Sequence, residues 1–251
     1  MAATNATSNP ERNRGWYKED VTEINAPMRE LLEEYSKIPS NEAVTAKGFR
    51  ANPYPYIGLY RFTILTLLTH PRYAEIVLRL KKPGAAYLDI GCCFDQDLRR
   101  LVLDGILSEN LIGLDIEAPL IELGKDLFLN RSTLRSRFVV ADVFKGASQG
   151  EAWTQLNRGR RADRPLLKKG GLLVGRQSGS IRPGNLAAID EGSFSYRHDV
   201  GSLAAMWDKV GAATGTGWEV TGLLDMVGMD PDSPVENADS RRLLFTITRV
   251  R

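Results

Sequence analysis

Three short apolar runs, at residues 85–90, 111–116 and 137–143, set the pattern of the central part of the chain. Each has the length of a buried strand, and helical patterns lie between them. Strands that alternate with helices form a parallel sheet with right-handed crossovers. The pattern therefore predicts an α/β fold. The first crossover helix carries Arg99 and Arg100, whose side chains we expect to be solvated.

Helical spacing dominates the N-terminal third. Apolar residues recur at this spacing over residues 19–38, residues 56–70 are predicted to form an apolar helix, and Pro71 begins another that ends near residue 82. Residues 1–15 are polar and are predicted to be disordered. The domain prediction is therefore a helical segment at 16–84, which makes one globular unit with a sheet domain at 85–251.

The second half of the chain is regular only after residue 170. Strands are predicted at 172–175, 218–226 and 241–250, and a helix at 198–210. The stretch 144–170 is too short for a fourth parallel strand and its helix, and no such strand is found in it. Its basic run at 157–165 is either an RNA or phosphate patch or, as we favour, a degenerate junction.

Composition is that of an ordinary globular protein. The 251 residues are 43% hydrophobic with a formal net charge of +2, which gives no reason to expect a nucleic-acid partner. No apolar run approaches the roughly 20 residues that span a membrane. Cys92 and Cys93 are adjacent, so they form no ordinary disulfide, and with two distant histidines they make no metal site. We expect a cytoplasmic protein without a metal.

Each of the three central runs ends in or contains an aspartate, namely Asp89, Asp115 and Asp142. A carboxylate after the second strand can accept two hydrogen bonds from a ribose diol. The first strand is followed by Gly91 alone, which falls short of the dinucleotide pattern G-x-G-x-x-G. Aspartate is also common after strands as a turn former or helix cap, and this simpler reading stays open.

The order Asp89, Gly91, Asp115, Asp142, Val143 resembles the class I S-adenosylmethionine-dependent methyltransferases. More closely, residues 41–60, 87–97, 138–150 and 174–197 resemble the fungal methyltransferases of meroterpenoid clusters of the austinol type. The resemblance covers residues 24–250. It implies a Rossmann-like methyltransferase sheet, in which the second of the last two strands lies antiparallel and forms a reverse hairpin with the first.

The resemblance also implies the cofactor, S-adenosylmethionine, and its site. Asp89, Gly91 and Cys92 would lie by the methionine part of the cofactor, Asp115 with Ile116 would hold the ribose, and Asp142 with Val143 would read the adenine amine. No catalytic residue is assigned.

The implied reaction is O-methylation of a polyketide–terpenoid intermediate as a carboxylate methyl ester in fungal secondary metabolism. A carboxylate is ionised at neutral pH and needs no general base. Arg176, Arg197 and His198 are the candidates for orienting an acidic substrate, with Arg176 favoured as a clamp. Tyr54 and Tyr56 belong to a lid or substrate wall, or else to a strap packed on the core. The resemblance also allows a homodimer.

Two features depart from the family pattern. Asp95 stands where related sequences carry a glycine, which permits a positive φ and close approach of the backbone. Its charge would repel the carboxylate of the cofactor. The second departure is the missing strand 4, which would leave an edge of the sheet unpaired. Two alternatives therefore remain: an isomerase or cyclase of the same pathway that no longer methylates, and an inactive homologue that binds a ligand.

Overall fold

In the computed structural model, the described residues are 24–38, 55–58, 60–142, 167–187, 194–227, 229 and 236–251. The chain divides into two compact units, Met1–Arg160 and Arg161–Arg251. Residues 1–15, which were predicted to be disordered, and the basic run at 157–165 both lie outside the described residues. The prediction that one globular unit extends over 16–251 stays a prediction.

The first unit contains a three-stranded parallel sheet in the order β1-β2-β3. Its strands are β1 at Tyr87–Ile90, β2 at Leu111–Asp115 and β3 at Arg137–Val140. Leu114 and Val139 are buried at the centre of this sheet. The predicted α/β class with its parallel strands is confirmed. β1 ends together with its apolar run, whereas β2 ends one residue and β3 three residues before theirs.

The first unit also contains helices. They are α1 at Ala26–Glu30, continued by a π-helix at Leu31–Tyr35, α2 at Pro55–Gly58, α3 at Tyr73–Leu80, α4 at Gln96–Leu103 and α5 at Ala118–Leu127, with 3₁₀ turns at Arg61–Thr63 and Ser108–Asn110. The side chain of Asn25 caps α1 by accepting a hydrogen bond from the Met28 N–H. Met28, Leu31 and Leu32 then pack with Phe128 in a buried cluster.

The predicted helix at 56–70 is wrong. The described residues of this stretch form α2, the short 3₁₀ turn and a further turn at 66–69, and Ile64 has an extended conformation with φ −91° and ψ 110°. The segment is rich in β-branched residues, which lose side-chain freedom in a helix. Ile57, Phe62, Leu65 and Leu67 are buried all the same. Phe62 packs edge-to-face on Phe94 at 4.9 Å between ring centroids.

The second unit is built on an antiparallel sheet in the order β4-β8-β7. Its elements are β4 at Leu172–Ser180, a hairpin of β5 at Gly184–Ala187 and β6 at Phe194–Arg197, α6 at Val200–Thr214, β7 at Trp218–Asp225 and β8 at Ser240–Arg249. Asp199 and Ser202 form a reciprocal capping box at the start of α6. The predicted antiparallel pair at the end of the chain is confirmed, whereas the β5–β6 hairpin was not predicted.

Among the described residues, no strand lies between Val140 and Leu172. Residues 143–166, where strand 4 would have to be, are outside the described part. None of the helices in the described ranges is both long and apolar enough to cross a membrane.

Gly124 in α5 lies directly against the turn that follows β1, and this contact gives a first testable prediction. A Cβ at Gly124 would lie 2.5 Å from the backbone oxygen of Phe94, whereas a Cβ at Gly201, near the start of α6, would meet only a carboxylate oxygen at 3.7 Å. Alanine normally stabilises a helix relative to glycine by about 0.5–1 kcal/mol.

We expect Gly124→Ala to lower the free energy of unfolding by about 1–3 kcal/mol, because α5 must move away from the turn. The matched variant Gly201→Ala should be neutral or stabilising. Urea denaturation of both variants measures the difference. Equal effects at the two sites would show that Gly124 makes no close contact.

Candidate active site

The turn after β1 is fastened to the end of β2. The N–H groups of Gly91 and Cys92 both donate to the backbone oxygen of Leu114, at 2.7 and 3.1 Å. Gly91 has φ +73°, a left-handed conformation that suits glycine, and the space where a Cβ would stand is open. The turn thus lies at the carboxyl ends of the parallel strands, where α/β folds bind ligands.

Asp115 joins this turn to the end of β2. One carboxylate oxygen accepts the N–H of Cys93 at 2.8 Å, and the other accepts the N–H of Glu117 at 2.9 Å. The second bond is the turn-forming role that the simpler reading assigned to aspartate. The first bond goes beyond it, because it connects two consecutive strand–turn units. Each oxygen keeps a second lone pair that can accept a further hydrogen bond.

Asp89 and Asp97 bring further negative charge to the same place. Asp89 pairs in register with Gly113 and so lies two positions from Asp115 across the β1–β2 ladder. Burial, and next the charge of Asp115, raise the pKa of Asp89 to about 7. Asp97, in the first turn of α4, is buried and accepts the N–H of Leu67 at 3.2 Å. Burial, with the charge of Asp89 added, raises the pKa of Asp97 well above its ordinary value.

Asp95, the first departure from the family pattern, lies in the turn directly before α4. It has φ +58° and ψ +32°, so the backbone there does adopt the left-handed conformation that favours glycine. The residue is 1% exposed, and a Cβ placed on Gly113 would meet its Oδ1 at 2.5 Å. The side chain therefore points against β2.

The Asp95 carboxylate is poorly satisfied. Among the described residues, neither oxygen has a nitrogen or oxygen donor at hydrogen-bonding distance. Burial raises the pKa of Asp95 to about 7, while the charge of Arg99, and next the thiol of Cys92 as a weak donor, oppose that rise. A carboxylate buried in this way destabilises the folded chain when it is ionised.

Arg99 is 0% exposed, so the expectation that it is solvated is wrong. Its Nη1 donates to the backbone oxygens of Phe94 at 2.6 Å and Asp95 at 2.9 Å, and its guanidinium lies 4.5 Å from the ring centroid of Phe128. Burial lowers its pKa to about 10, an effect that Asp95 opposes. The expectation for Arg100 is also wrong, because Arg100 pairs with Glu30 and Asp104 and its side chain is largely buried.

The remaining predicted cofactor residues lie at the ends of β2 and β3. Ile116 is exposed directly after β2, as are Ile90 and Val140 at the ends of the neighbouring strands. Asp142 is half-buried two residues beyond β3, and the N–H of Ala141 donates to the Asp115 backbone oxygen at 2.9 Å. Val143 lies outside the described residues. Apolar surface and carboxylates thus share one edge of the sheet.

Of the two predicted substrate tyrosines, Tyr54 lies outside the described residues. Tyr56, in α2, is half-buried, and its hydroxyl accepts a hydrogen bond from Nε2 of Gln96 at 3.2 Å. Burial, and next the charge of Asp97, raise its pKa. Tyr56 packs against the cluster that contains Ile57 and Phe94. This placement fits both a substrate wall and a packed strap, so the alternatives stay open.

The other predicted substrate residues belong to the second unit. Arg176 in β4 has a side chain only 9% exposed, and its Nη2 donates to Asp225 at 2.6 Å and to the backbone oxygen of Val227 at 2.7 Å. Arg197 is buried, and its Nη1 donates to Ser240 Oγ at 3.1 Å. His198 lies with Nδ1 3.0 Å from the hydroxyl of Ser202. A substrate role for these three stays a prediction.

Comparison with known proteins places the chain in a family. Residues 16–63 match the family described as the meroterpenoid methyltransferase N-terminal domain. The O-methyltransferase atr3 of Stereocaulon alpinum is 35% identical over 95% of this chain and 77% of its own length. The O-methyltransferase phiE of a fungal species is 35% identical over 82% of this chain and 78% of its own.

A third relative, the asnovolin E/chermesin D methyltransferase nvfJ of Aspergillus novofumigatus, is 34% identical over 77% of this chain and 79% of its own length. A solved precorrin-6y C5,15-methyltransferase of Geobacter metallireducens covers 72% of this chain and 91% of its own at 13% identity, with a TM-score of 0.31, too low to support a conclusion. The sequence relatives decide the family: the chain belongs to the fungal meroterpenoid-type methyltransferases and is an S-adenosylmethionine-dependent methyltransferase.

Proposed function

We propose that this enzyme transfers a methyl group from S-adenosylmethionine to a carboxylate of a polyketide–terpenoid intermediate and so forms a methyl ester. The observation that carries the proposal is the placement of Asp115, held by two backbone N–H groups at the carboxyl edge of a parallel sheet. The family supports the methyl donor, and its description as meroterpenoid methyltransferases supports a meroterpenoid acceptor.

The residues of the first unit fit this cofactor. Asp115 has lone pairs for a ribose diol, the space beside Gly91 is open for the methionine part, and the exposed Ile116 offers an apolar surface for the adenine. Asp89 would hold the ammonium group, and Asp142 with Val143 would face the adenine amine. The positive charge of a bound cofactor favours the ionised form of Asp89.

When bound, S-adenosylmethionine supplies an activated methyl group. The protein then has to hold an acceptor oxygen in line with that group. A carboxylate acceptor is itself the nucleophile at neutral pH, so its orientation matters more than a base. Arg176 is the proposed clamp: its guanidinium already binds a carboxylate, that of Asp225, which a substrate carboxylate would replace.

The second candidate function is a methyltransferase fold that no longer methylates and acts as an isomerase, a cyclase or a binding homologue. The observation that favours it is the buried carboxylate of Asp95 at the cofactor turn. Methyl transfer to product separates the two functions. A cytoplasmic location and a homodimer remain predictions.

The first test is calorimetric titration with S-adenosylmethionine, followed by methylation of acidic meroterpenoids. We expect micromolar binding that Asp115→Asn weakens by roughly 10- to 100-fold, because charged hydrogen bonds to the ribose become neutral. Asp126→Asn is the matched control, since Asp126 is exposed on α5 and pairs only with Arg131 among the described residues. A folded chain without binding would refute the proposal, and binding without any methyl transfer would favour the second candidate.

Asp95→Gly tests whether the departure from the family pattern weakens the enzyme. We expect the variant to unfold with a free energy about 1–2 kcal/mol larger, because glycine adopts the left-handed conformation without strain and no carboxylate is buried. Its affinity for S-adenosylmethionine should also rise, since one negative charge near the cofactor carboxylate is gone. Denaturation and titration measure the two effects. A less stable Asp95→Gly would show that the aspartate contributes to the fold.

The raised pKa of Asp95 predicts a pH dependence of stability. Its value is about 7 in the folded chain and about 3.9 when unfolded, so the folded state binds the proton more tightly. The stability associated with the neutral carboxyl is therefore present below about pH 4 and is lost as the pH rises through about 7.

Relative to Asp95→Asn, the wild type should lose about 2 kcal/mol of stability between about pH 5 and about pH 8. Asp89, Asp115, Cys92 and Arg99, which influence this pKa, are present in both proteins. Urea denaturation across this range measures the difference. Parallel stability curves would mean that Asp95 stays ionised throughout.

A further inference from the structure

The peptide group between Phe94 and Asp95 is held at both ends. Its N–H donates to the backbone oxygen of Cys92 at 2.7 Å, and its carbonyl oxygen accepts Nη1 of Arg99 at 2.6 Å. Gly124 lies close to the same carbonyl, and a Cβ on it would stand 2.5 Å from the oxygen. The orientation of this peptide therefore depends on the guanidinium of Arg99.

The orientation of this peptide also affects the N–H group that the turn presents to Asp115. This group is the N–H of Cys93, which donates to Asp115 at 2.8 Å, and Asp115 is the proposed ribose acceptor. A rotation of the Phe94–Asp95 peptide would move the Cys93 N–H, because the Asp95 N–H donates to the Cys92 carbonyl, which belongs to the same peptide group as the Cys93 N–H. Among the described residues, Arg99 makes no hydrogen bond to the carboxylates of Asp89, Asp115 or Asp142. Its effect on the cofactor site therefore passes through the backbone of the turn.

The same guanidinium is connected to the N-terminal segment. Its Nη2 donates to Oδ1 of Asn130 at 3.1 Å, and Nδ2 of Asn130 donates to the hydroxyl of Tyr35 at 2.9 Å. Asn130 is buried, and Tyr35 ends the π-helix that continues α1. A chain of hydrogen bonds therefore runs from Tyr35 to the turn.

A guanidinium is suited to this position. It presents five N–H donors in a fixed plane, so one side chain reaches two backbone carbonyls and an amide oxygen at once, whereas an ammonium has three donors on a single atom. Burying its charge costs free energy, which only well-formed hydrogen bonds and charge interactions offset. Packing on Phe128 alone would not require it, because an apolar side chain packs there equally well.

We propose that Arg99 is a positioning residue for the cofactor site, and that cofactor affinity depends on the hydrogen-bond chain Tyr35–Asn130–Arg99 that fixes the turn. The inference rests on the proposed cofactor site. It links the N-terminal segment, by way of Tyr35, to the affinity of the enzyme for its methyl donor.

The test compares Arg99 with its neighbour. Arg100 follows it in α4 and also contacts the N-terminal segment, through Glu30. Within the described part of the chain, its side-chain hydrogen bonds go to Glu30 and Asp104, and none goes to the turn. Binding of S-adenosylhomocysteine is measured by calorimetry, and stability by urea denaturation, at a temperature where every variant is folded. Arg99→Met should lose roughly 10- to 100-fold in affinity, whereas Arg100→Met should keep the wild-type affinity even where it loses as much stability.

Two further variants distinguish positioning from general damage. Tyr35→Phe, far from the cofactor along the chain, should weaken binding by a few-fold without a matching loss of stability. In Arg99→Ala, added methylguanidinium should restore binding and methylammonium should not, because only the planar ion reproduces the bonds. The Tyr35→Phe comparison carries the test if the Arg99 variants do not fold.

Wild-type affinity in both Arg99→Met and Tyr35→Phe would overturn the inference and leave the proposed function standing. Equal losses of affinity in Arg99→Met and Arg100→Met would also overturn it, since they would reflect stability alone. A folded wild type that does not bind S-adenosylhomocysteine would instead refute the proposed cofactor site, and the inference with it.

Discussion

The first unit depends on how the turn after β1 is fastened to the end of β2. Two N–H groups share the backbone oxygen of Leu114, and a third, that of Cys93, donates to the side chain of Asp115. This fastening fixes the direction in which α4 leaves the sheet. It also requires the close approach at Gly113 and Gly124, where a larger residue would meet the turn. These bonds couple the end of β1 and the start of α4 to Asp115 at the end of β2. A change in any one of the three therefore alters the others.

Electrostatics at this turn is dominated by carboxylates. Burial raises the pKa of Asp89, Asp95 and Asp97, and the charges of nearby carboxylates add to the rise. Among the described residues, the buried guanidinium of Arg99 donates to backbone oxygens and to Asn130 and makes no hydrogen bond to these three carboxylates. The free enzyme thus holds unfavourable charge interactions near its proposed site. A ligand with an ammonium group brings positive charge next to Asp89, its proposed partner, and so favours the ionised form of that carboxyl.

The alternation of short apolar runs with helical patterns was enough to predict the three parallel strands, whereas the antiparallel pair at the end of the chain came from the family resemblance. The resemblance marked Asp95 as a glycine position, and its φ of +58° agrees. The burial of Arg99 could not be predicted from the sequence. A helical pattern shows only which face of the helix is apolar, and a guanidinium that is buried because it donates to backbone oxygens of the preceding turn does not change that pattern. The helix predicted at 56–70 is absent from the described residues of that stretch, because its apolar residues indicate burial and do not by themselves indicate a helix.

The geometry of Asp95 bears on whether the enzyme still uses its cofactor. The substitution of aspartate for glycine left the left-handed backbone in place, so the turn keeps the conformation that presents the Cys93 N–H to Asp115. The added side chain is 1% exposed and lies against Gly113, so it does not fill the open space beside Gly91. What the aspartate changes is charge, and burial moves its pKa to about 7, where the charge is partly neutralised. A turn with its backbone intact and its extra charge reduced favours retained cofactor binding over its loss.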